Sequence, residues 1–332
     1  MNEKLIEAIP NFSEGQNLAT IEYICSSIES VEGAKVLNCD IGKDANRTVI
    51  TFVATVSSIE QAAFNAIKAA AEKIDMRQQV GEHPRIGATD VMPFVPLKGV
   101  TIEECIDAAR AVGKRVAQEL KIPIYCYEKA AFAEHKQNLA MCRKGEYEGI
   151  EQKFQNPLWY PDFGEPIYNE YVAKSGVTVI GARNFLLAVN FNLNCKDVEI
   201  ADKIAKTVRY SGCKIEGERV HGTLKGAKAI GWYMEQYGFS QVSMNIVDME
   251  LTPLHIAFEE VKRVAKLCGV EVTGTEIIGM LPENVIWQAA EFYAPDNTFS
   301  SIEKCEFVAE KMNFSQIQQF DAIKKIIYFS NL

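Results

Sequence analysis

The sequence lacks the features that define membrane proteins and nucleic-acid-binding proteins. Its 332 residues contain no apolar run long enough to cross a bilayer, and the N-terminal stretch has no secretion-signal layout. We therefore expect a cytoplasmic protein with no membrane partner. Lys and Arg number 35 against 44 Asp and Glu, which gives a net charge of −9 and no basic stripe to neutralise phosphates. We expect no nucleic-acid partner, and an anionic ligand would need a local basic pocket.

Metal-binding and nucleotide-binding motifs are also missing. The nine cysteines include no CxxC pair, and their odd number and scatter argue against a disulfide framework and against a zinc site. The four histidines show neither HxxxH nor HExxH spacing, so we predict no metal. A GxGxxG dinucleotide fingerprint and a GxSxG nucleophile elbow are absent as well. What remains is an ordinary globular composition, 48% hydrophobic and 24% charged, in a length that suits two domains.

One stretch, Gly81–Asp90, concentrates residues that carry chemistry. It spells GEHPRIGATD and lies between a predicted helix and a predicted strand. Pro84 restricts the backbone of the residue before it, and the glycines allow a ligand to approach the main chain closely. His83 lies between Glu82 and Arg85, which would orient or tune an imidazole that titrates near neutrality. A surface turn with an incidental histidine is the alternative, and the residues alone leave the two interpretations even.

Hydrophobic periodicity predicts the elements around this loop. Helices are expected over 17–30, over 58–74 and from residue 101 onward, with capping boxes at Ser58 and Gln61 and at Thr101 and Glu104. Strands are expected over 4–9, 35–39, 48–56, 91–95 and 122–127. The first four strands and the first two helices therefore follow the order β-α-β-β-α-β.

The second half shows short similarities to the first half, in the same order. AIPNF at 8–12 resembles LAVNF at 187–191, and GATDV at 87–91 resembles TGTEI at 273–277. Ala63–Ala71 resembles Ala257–Ala265, each after a strand and a Ser or Thr cap. Chance similarity is the alternative, but three ordered matches favour duplication. We expect an α+β fold of two ferredoxin-like β-α-β-β-α-β subdomains, 1–180 and 181–332, with region 130–180 as a linker or a functional flap.

Two further groups of residues are candidates for ligand contact. Gly222–Gly231 has three glycines and two lysines, which fits an anion cradle of backbone N–H groups, with a flexible hairpin connection as the alternative. It does not match the full P-loop pattern, so it predicts nucleotide binding only weakly. Acids are expected in or next to loops, where ligand groups collect: Asp40, Asp44, Glu82, Asp90 and Asp162. Taken singly, each of these acids is interpreted as a solvated loop residue.

Longer motifs, spread over nearly the whole chain, resemble glutamate formimidoyltransferase. They are IPNFSEG (9–15), DANRTVITFV (44–53), GEHPRIGATDV followed by PF at 93–94 and P at 96 (81–96), YPDFG (160–164), TVIGARNFL (178–186) and AIGWYMEQ (229–236). The resemblance implies transfer of a formimino group from N-formimino-L-glutamate to N5 of tetrahydrofolate, the co-substrate, in histidine degradation and one-carbon metabolism. It also implies two ferredoxin-like subdomains with the ligand cleft between them, a homodimer, and a transferase without the cyclodeaminase part of the animal enzyme.

The resemblance implies the histidine and the folate segments, and the chemistry of the transfer adds the carboxylate and the basic side chains as candidates. The catalytic histidine of the family falls on His83, as general base and then general acid. A carboxylate that keeps the formimino group protonated is expected at Asp40, with Glu82 behind it. Folate-contacting segments fall on about 164–176 and 222–231, and basic side chains would bind the carboxylates of the substrates. The binding candidates are Gly164, Glu165, Pro166, Tyr168, Gly176, Gly222, Thr223, Leu224, Lys225, Gly226, Lys228, Gly231, Arg47, Arg85 and Arg183.

Two other functions stay open at this point. The first is the same transfer from formiminoglycine in purine degradation, since the choice of donor rests on few contacts. The second belongs to another class and is a non-catalytic folate-binding module of ferredoxin-like fold. An intact His83 together with both ligand segments argues against the second function.

Overall fold

Helices and strands of the expected mixed α+β class make up the protein. The computed structural model describes residues 4–43, 45–81, 83–215 and 217–327, apart from the side chain of residue 215. The chain divides into two compact units, Met1–Asn184 and Phe185–Leu332, each with a hydrophobic core of its own. Among the described residues, none of the helices combines the length and the apolar character needed to span a membrane.

The first unit contains the His83 loop and most of the predicted elements. Its strands are β1 (Leu5–Ala8), β2 (Asn11–Phe12), β3 (Ala34–Gly42), β4 (Arg47–Thr55), β5 (Thr89–Lys98), β6 (Ile124–Glu128) and β7 (Thr178–Ala182). Its helices are α1 (Leu18–Glu29), α2 (Ile59–Lys73), α3 (Ile102–Leu120), α4 (Leu139–Arg143), α5 (Ile150–Phe154) and α6 (Glu170–Ser175). The periodic segments predicted as strands and helices in residues 4–127 are confirmed.

The sheet of the first unit has two faces of different character. β3 pairs with β4, β1 and β2 lie between β4 and β5, and β7 and β6 extend the sheet in parallel beyond β5. Because side chains alternate along a strand, β4 directs Ile50 and Phe52 into the core with α1, α2 and α3. The opposite face, which we call the far face, carries Arg47, Val49 and Val53 of β4.

The second unit is built around a smaller antiparallel sheet. Its strands are β8 (Leu187–Leu193), β9 (Cys213–Ile215), β10 (Glu218–Val220), β11 (Ala227–Met234), β12 (Phe239–Ile246), β13 (Val272–Ile278), β14 (Leu281–Pro282) and β15 (Ile326–Ile327). Its helices are α7 (Val198–Val208), α8 (Leu254–Leu267), α9 (Glu283–Tyr293), α10 (Ser301–Lys311) and α11 (Ala322–Lys325). The sheet order is β11-β12-β8-β13, and Phe191 of β8 packs on Phe258 of α8 with 6.1 Å between ring centroids.

Helix starts show where local sequence rules hold and where they fail. The capping box of Thr101 and Glu104 is confirmed at the start of α3. The predicted box at Ser58 is wrong, because Ser58 has helical backbone angles and its hydroxyl donates to the carbonyl of Glu32 at 2.6 Å. α8 begins after Pro253 without a side-chain cap, so the Ser or Thr cap predicted there is absent too.

Region 130–180 is not a linker. It folds as part of the first unit, with α4, α5 and α6 followed by β7. Tyr147, Ile150, Phe154 and Val172 are buried in the core of that unit. Helices of five or six residues are too short to show a hydrophobic period, and for that reason the sequence pattern does not reveal them.

Candidate active site

The His83 loop is held against the chain that follows α6. The N–H of Val177 donates to the carbonyl of Ile86 at 3.0 Å, and the N–H of Ala88 donates to the carbonyl of Ser175 at 2.8 Å. Within the first unit, these bonds bring the predicted catalytic loop next to the end of the predicted folate segment 164–176. Backbone pairing between segments so distant in the chain cannot be deduced from either motif alone.

Two glycines, one in the His83 loop and one in the predicted folate segment, make this close contact possible. A Cβ on Gly87 would lie 2.2 Å from the carbonyl oxygen of Val177. A Cβ on Gly176, whose φ is +68°, would lie 2.3 Å from the carbonyl oxygen of Ile86. Only glycine tolerates both the approach and the left-handed backbone. The structure therefore explains Gly87 and Gly176 by the packing of backbone on backbone.

Gly87→Ala should destabilise the His83 loop. The added methyl group overlaps a backbone oxygen that cannot move without breaking the bonds to Val177 and Ala88, and we expect a loss of about 1–3 kcal/mol in the free energy of unfolding. Urea unfolding measures the loss. Gly42→Ala is the milder control, because its Cβ would come no closer than 3.3 Å to the carbonyl oxygen of Arg47, a contact that a shift of a few tenths of an ångström relieves. Equal stability of the two variants would contradict the close-packing explanation.

The His83 imidazole is partly buried and is held in one tautomer. Its Nδ1 lies 2.8 Å from the carbonyl oxygen of Pro84. Since that oxygen only accepts, Nδ1 carries the proton of the neutral ring and Nε2 is the basic nitrogen. Burial, together with the positive charges of Arg47 and Arg143, lowers the pKa of His83 to about 3. The ring is therefore neutral at pH 7, whereas the sequence predicts an imidazole that titrates near neutrality.

Asp90 is the fully buried centre of an ion cluster. Its Oδ2 lies 2.8 Å from Arg47 Nη1 and also pairs with Arg143 Nη2. Its Oδ1 accepts from Arg143 Nε at 3.2 Å and from the N–H of Ile86 at 3.0 Å. Burial by itself raises the pKa of Asp90, but the charges of Arg143 and Arg47 outweigh burial and hold that pKa below its usual range. Asp90 does lie next to the loop, at the start of β5, but the prediction of a solvated acid is wrong because its side chain is fully buried.

The cluster of Arg47, Asp90 and Arg143 carries one net positive charge. Burial lowers the pKa of Arg47 to about 10, and Asp90 opposes that effect, so Arg47 stays protonated at pH 7. Arg47 Nη1 also lies 3.5 Å from the carbonyl oxygen of Pro84, the same oxygen that binds His83. Two guanidinium groups against one carboxylate leave positive charge beside the imidazole, which is suited to an anionic substrate.

Arg85 is paired with acids of the chain itself. Its Nη2 lies 2.6 Å from Glu148 Oε1, and its Nη1 lies 3.2 Å from Glu146 Oε2. The N–H of Tyr147 donates to the carbonyl of Arg85 at 3.0 Å. Arg85 thus fastens residues 146–148 to the His83 loop. The role predicted from the sequence, binding of a substrate carboxylate, would require these ion pairs to open.

Asp40 lies on the far face together with Arg47. The register of β3 against β4 places Asp40 opposite Val49, two residues along β4 from Arg47. Cross-strand partners share a face, and so do alternate residues of one strand. Asp40 is partly exposed, and one of its oxygens accepts from Asn38 Nδ2 at 2.9 Å. It lies within β3 and not in a loop.

The other acids predicted in loops differ in their surroundings. The side chain of Asp162 is 7% exposed, and it pairs with Lys136 Nζ at 2.8 Å and accepts from the N–H of Cys126 at 2.8 Å. It fixes the middle of the 160–164 motif to β6. Asp44 and Glu82 lie outside the described residues.

The 164–176 segment begins on the surface of the first unit. Gly164 has a φ of +90°, Glu165 is exposed and Pro166 is partly buried. Tyr168 is 39% exposed, and its hydroxyl oxygen lies 3.4 Å from that of Tyr147. An exposed aromatic ring such as that of Tyr168 offers a face on which a flat ligand can stack. Contact of these residues with folate stays a prediction.

Glu7, which the sequence does not single out, is the most unusual carboxylate in the first unit. It lies in the middle of β1, fully buried, and neither of its carboxylate oxygens has a hydrogen-bond partner among the described residues. Burial raises the pKa of Glu7 to about 7, although the charge of Arg183 opposes this shift. Arg183, a predicted binding residue, therefore lies close enough to act on Glu7, and its Nη1 donates to the carbonyl of Asn184 at 3.0 Å.

Glu7→Gln should stabilise the protein at neutral pH. The pKa of Glu7 is raised in the folded state, so the native protein holds this proton more tightly than the unfolded chain does. The stability of the wild type relative to the variant is therefore highest below about pH 4, and it falls by about 3 kcal/mol as the pH rises through 7. Urea unfolding of both proteins at about pH 4.5 and about pH 8 measures the change. A stability difference independent of pH would contradict the raised pKa.

The predicted anion cradle at Gly222–Gly231 is corrected by the structure. The N–H groups of Gly222 and Leu224 donate to the carbonyls of Arg209 and Val208, at 3.2 Å and 2.9 Å. The N–H of Gly226 donates to Thr252 Oγ1 at 2.9 Å. These groups are used inside the second unit, and a Cβ on any of the three glycines of the stretch would lie within 2.4 Å of a backbone atom. Close packing explains the glycines, and these N–H groups form no cradle.

The side chains of the same stretch have separate environments. Lys228 and Gly231 lie in β11 and not in a loop. Lys225 and Lys228 are exposed, and Thr223 Oγ1 donates to Glu260 Oε1 at 2.6 Å. The exposed lysines keep the capacity to bind an anion. Their contact with folate stays a prediction.

Comparisons with known proteins agree with these motifs. Residues 5–183 match the formiminotransferase domain, N-terminal subdomain, and residues 188–331 match the formiminotransferase domain. Glutamate formimidoyltransferase of Streptococcus pyogenes serotype M1 is 43% identical over 87% of this chain and 93% of its own length. The protein of the same name from Thermoplasma acidophilum is 39% identical over 92% of this chain and 98% of its own length.

Longer relatives match as well. Formimidoyltransferase-cyclodeaminase of Gallus gallus is 40% identical over 98% of this chain and 60% of its own length. The chain therefore spans about 60% of the length of these bifunctional relatives. Matches to both formiminotransferase subdomains, together with relatives of about 40% identity over most of the chain, place this protein in the formiminotransferase family.

Proposed function

We propose that this protein transfers the formimino group of N-formimino-L-glutamate to N5 of tetrahydrofolate, which yields 5-formimidoyltetrahydrofolate and L-glutamate. One observation carries the proposal: a neutral His83 with a basic Nε2 lies beside the net positive charge of Arg47, Asp90 and Arg143. A neutral base next to positive charge suits a reaction in which an amine loses a proton while an anionic donor is bound. The relatives named glutamate formimidoyltransferase support the same reaction.

Binding of the anionic donor would make His83 a stronger base than it is in the free protein. In the free protein, burial and, after it, the net positive cluster hold the imidazole neutral. A substrate carboxylate bound near Arg47 and Arg143 would offset that charge and raise the pKa of His83 towards neutrality. Nε2 then accepts the proton from N5 as N5 attacks the formimino carbon, and returns it to the departing glutamate nitrogen. Binding of the donor thus prepares the base for the step in which it acts.

A carboxylate near the formimino group would complete the site. The formimino group is most electrophilic when protonated, and a nearby carboxylate stabilises that amidinium. Asp40 is our candidate, because it shares the far face with Arg47. Segments 164–176 and 222–231 are proposed to contact folate, with Arg183, Lys225 and Lys228 as partners of its carboxylates.

We also propose that the two units are ferredoxin-like subdomains related by duplication. Each unit contains strands and helices in the succession β-α-β-β-α-β, with the first strand between the third and the fourth. That arrangement supports two ferredoxin-like subdomains, divided near residue 180, and an internal duplication. Phe64 of α2 and Phe258 of α8, which the predicted repeat pairs with each other, are both buried, and this supports the repeat. A cytoplasmic homodimer that needs tetrahydrofolate and no metal remains our expectation from the family.

A transfer assay tests the function and separates the alternatives. Purified protein is mixed with tetrahydrofolate and either formiminoglutamate or formiminoglycine, and the 5-formimino or 5,10-methenyl product is followed. Turnover of the glutamate donor alone supports the proposal. Turnover of the glycine donor alone would replace it by the glycine transferase of purine degradation. Folate binding without any turnover would favour the non-catalytic module.

A further inference from the structure

Glu7 occupies a position where a carboxylate is costly. In β1 it lies opposite Val53 of β4 and Val95 of β5, so it shares the far face with Arg47 and Asp40. The carboxylate is fully buried, and neither oxygen has a hydrogen-bond partner among the described residues. Buried polar groups in proteins are nearly always hydrogen-bonded. An exception on the face that carries two candidate site residues needs an explanation.

Asp90 and Glu7 are both buried carboxylates, but they differ in their hydrogen-bond partners. Both carboxylates are fully buried in neighbouring strands, but Asp90 receives hydrogen bonds from two arginines and a backbone N–H. Among the described residues, Glu7 has no such bonds, and the opposing charge that acts on it is that of Arg183, which also acts on the buried Tyr127 hydroxyl. Asp90 is therefore satisfied within the fold, whereas the two oxygens of Glu7 have their acceptor capacity left.

We propose that the Glu7 carboxylate binds a pair of adjacent N–H groups of a substrate, with one oxygen accepting from each. This inference rests on the proposed function. Two parallel N–H bonds suit a planar carboxylate, and charge-assisted bonds of this kind are stronger than neutral ones. An anionic ligand group would be repelled, and an apolar group would leave both oxygens unsatisfied.

Two parts of the substrates offer such a pair. One is the formimino group of the donor, whose protonated form has two N–H-bearing nitrogens on one carbon. The other is the edge of the reduced pterin that combines the 2-amino group with the N–H of the adjacent ring nitrogen. The shared chemistry is an amidine edge. Separate measurements on the donor and on tetrahydrofolate distinguish the two sources.

The experiment compares Glu7→Gln with the wild type. The variant keeps the shape of the side chain but replaces one carboxylate oxygen by an NH2 group. That NH2 group would face one of the two N–H groups of the substrate, and two donors repel each other. Tetrahydrofolate affinity is measured by calorimetry, and KM for formiminoglutamate is measured in the transfer assay. We expect at least roughly a tenfold rise in Kd or in KM for the substrate whose edge Glu7 binds. A change for tetrahydrofolate identifies the pterin, and a change for the donor identifies the formimino group.

Controls separate binding from folding. Glu60→Gln on the exposed side of α2 has the same chemical change and should leave both values within about twofold. Glu7→Asp keeps the carboxylate on a shorter stem and should lose less affinity than Glu7→Gln. Folded Glu7→Gln with wild-type Kd and KM would overturn the proposal. If the wild type binds tetrahydrofolate but transfers from neither donor, and Glu7→Gln still weakens that binding, the proposed function fails and the role of Glu7 stands.

Discussion

His83→Ala should lower kcat for formimino transfer by about 100-fold to 10,000-fold, the range typical for loss of a general acid–base group. The reason is the position of the imidazole, whose Nδ1 is fixed on the carbonyl of Pro84 while Nε2 remains the basic nitrogen. KM for the donor should change much less, because Arg47 and Arg143 would still supply positive charge. Steady-state kinetics with saturating tetrahydrofolate measure both quantities.

His135→Ala is the matched control for this variant. His135 also lies in the first unit and also binds a carbonyl, that of Leu158, through Nε2 at 2.8 Å. It packs edge-on against Trp159, with 5.0 Å between ring centroids, and takes no part in the proposed chemistry. Transfer activity should therefore survive in His135→Ala. Near-wild-type kcat in a folded His83→Ala would eliminate His83 as the base while leaving the family assignment intact.

Asp90→Asn should destabilise the protein by about 3–5 kcal/mol, since removing one partner of a buried ion pair leaves charge without compensation. The amide cannot neutralise Arg47 and Arg143, which face the same carboxylate. The N–H of Ile86, which Asp90 also binds, lies in the His83 loop, so that loop should loosen as well. Urea unfolding measures the stability, and transfer kinetics measure the effect on the site.

The pair of Asp75 and Arg77 provides a control of equal chemistry on the surface. Arg77 Nη2 lies 2.6 Å from Asp75 Oδ2, but the arginine side chain is 48% exposed. Exposed ion pairs contribute about 0–1 kcal/mol, so Asp75→Asn should have little effect. A similar loss of stability in both variants would show that burial does not set the strength of the Asp90 cluster. A fully stable Asp90→Asn would contradict the role of Asp90 as the centre of the ion cluster with Arg47 and Arg143.

His83→Ala and Asp90→Asn are expected to affect stability and turnover differently. His83→Ala removes a reacting group from a loop whose backbone bonds to Ser175 and Val177 remain. Asp90→Asn removes the charge that holds two arginines beside that loop. We therefore expect His83→Ala to keep its unfolding midpoint and lose turnover, and Asp90→Asn to lose both. The two variants therefore distinguish a residue that reacts from a residue that holds the site together.

Local sequence patterns are sufficient to predict the elements of the first unit and the identity of the reactive loop. Periodicity over about 10 to 15 residues predicts helices such as α1 and α2, and the enrichment of β-branched residues predicts β4. The crowding of His83, Pro84 and two glycines in one turn indicates the loop from the amino-acid order alone. Each of these signals is complete within a short stretch of chain, so none of them depends on how distant segments pack.

The chemistry of that loop, in contrast, is set by packing between segments distant in sequence. Arg47 comes from β4, Arg143 from α4 and Asp90 from β5, and they meet beside His83 only in the folded unit. A pKa depends on burial and on charges within a few ångströms, and the amino-acid order specifies neither. The same reason applies to Glu7: alternation places it on one face of β1, but only the folded sheet buries that face and leaves the carboxylate unsatisfied.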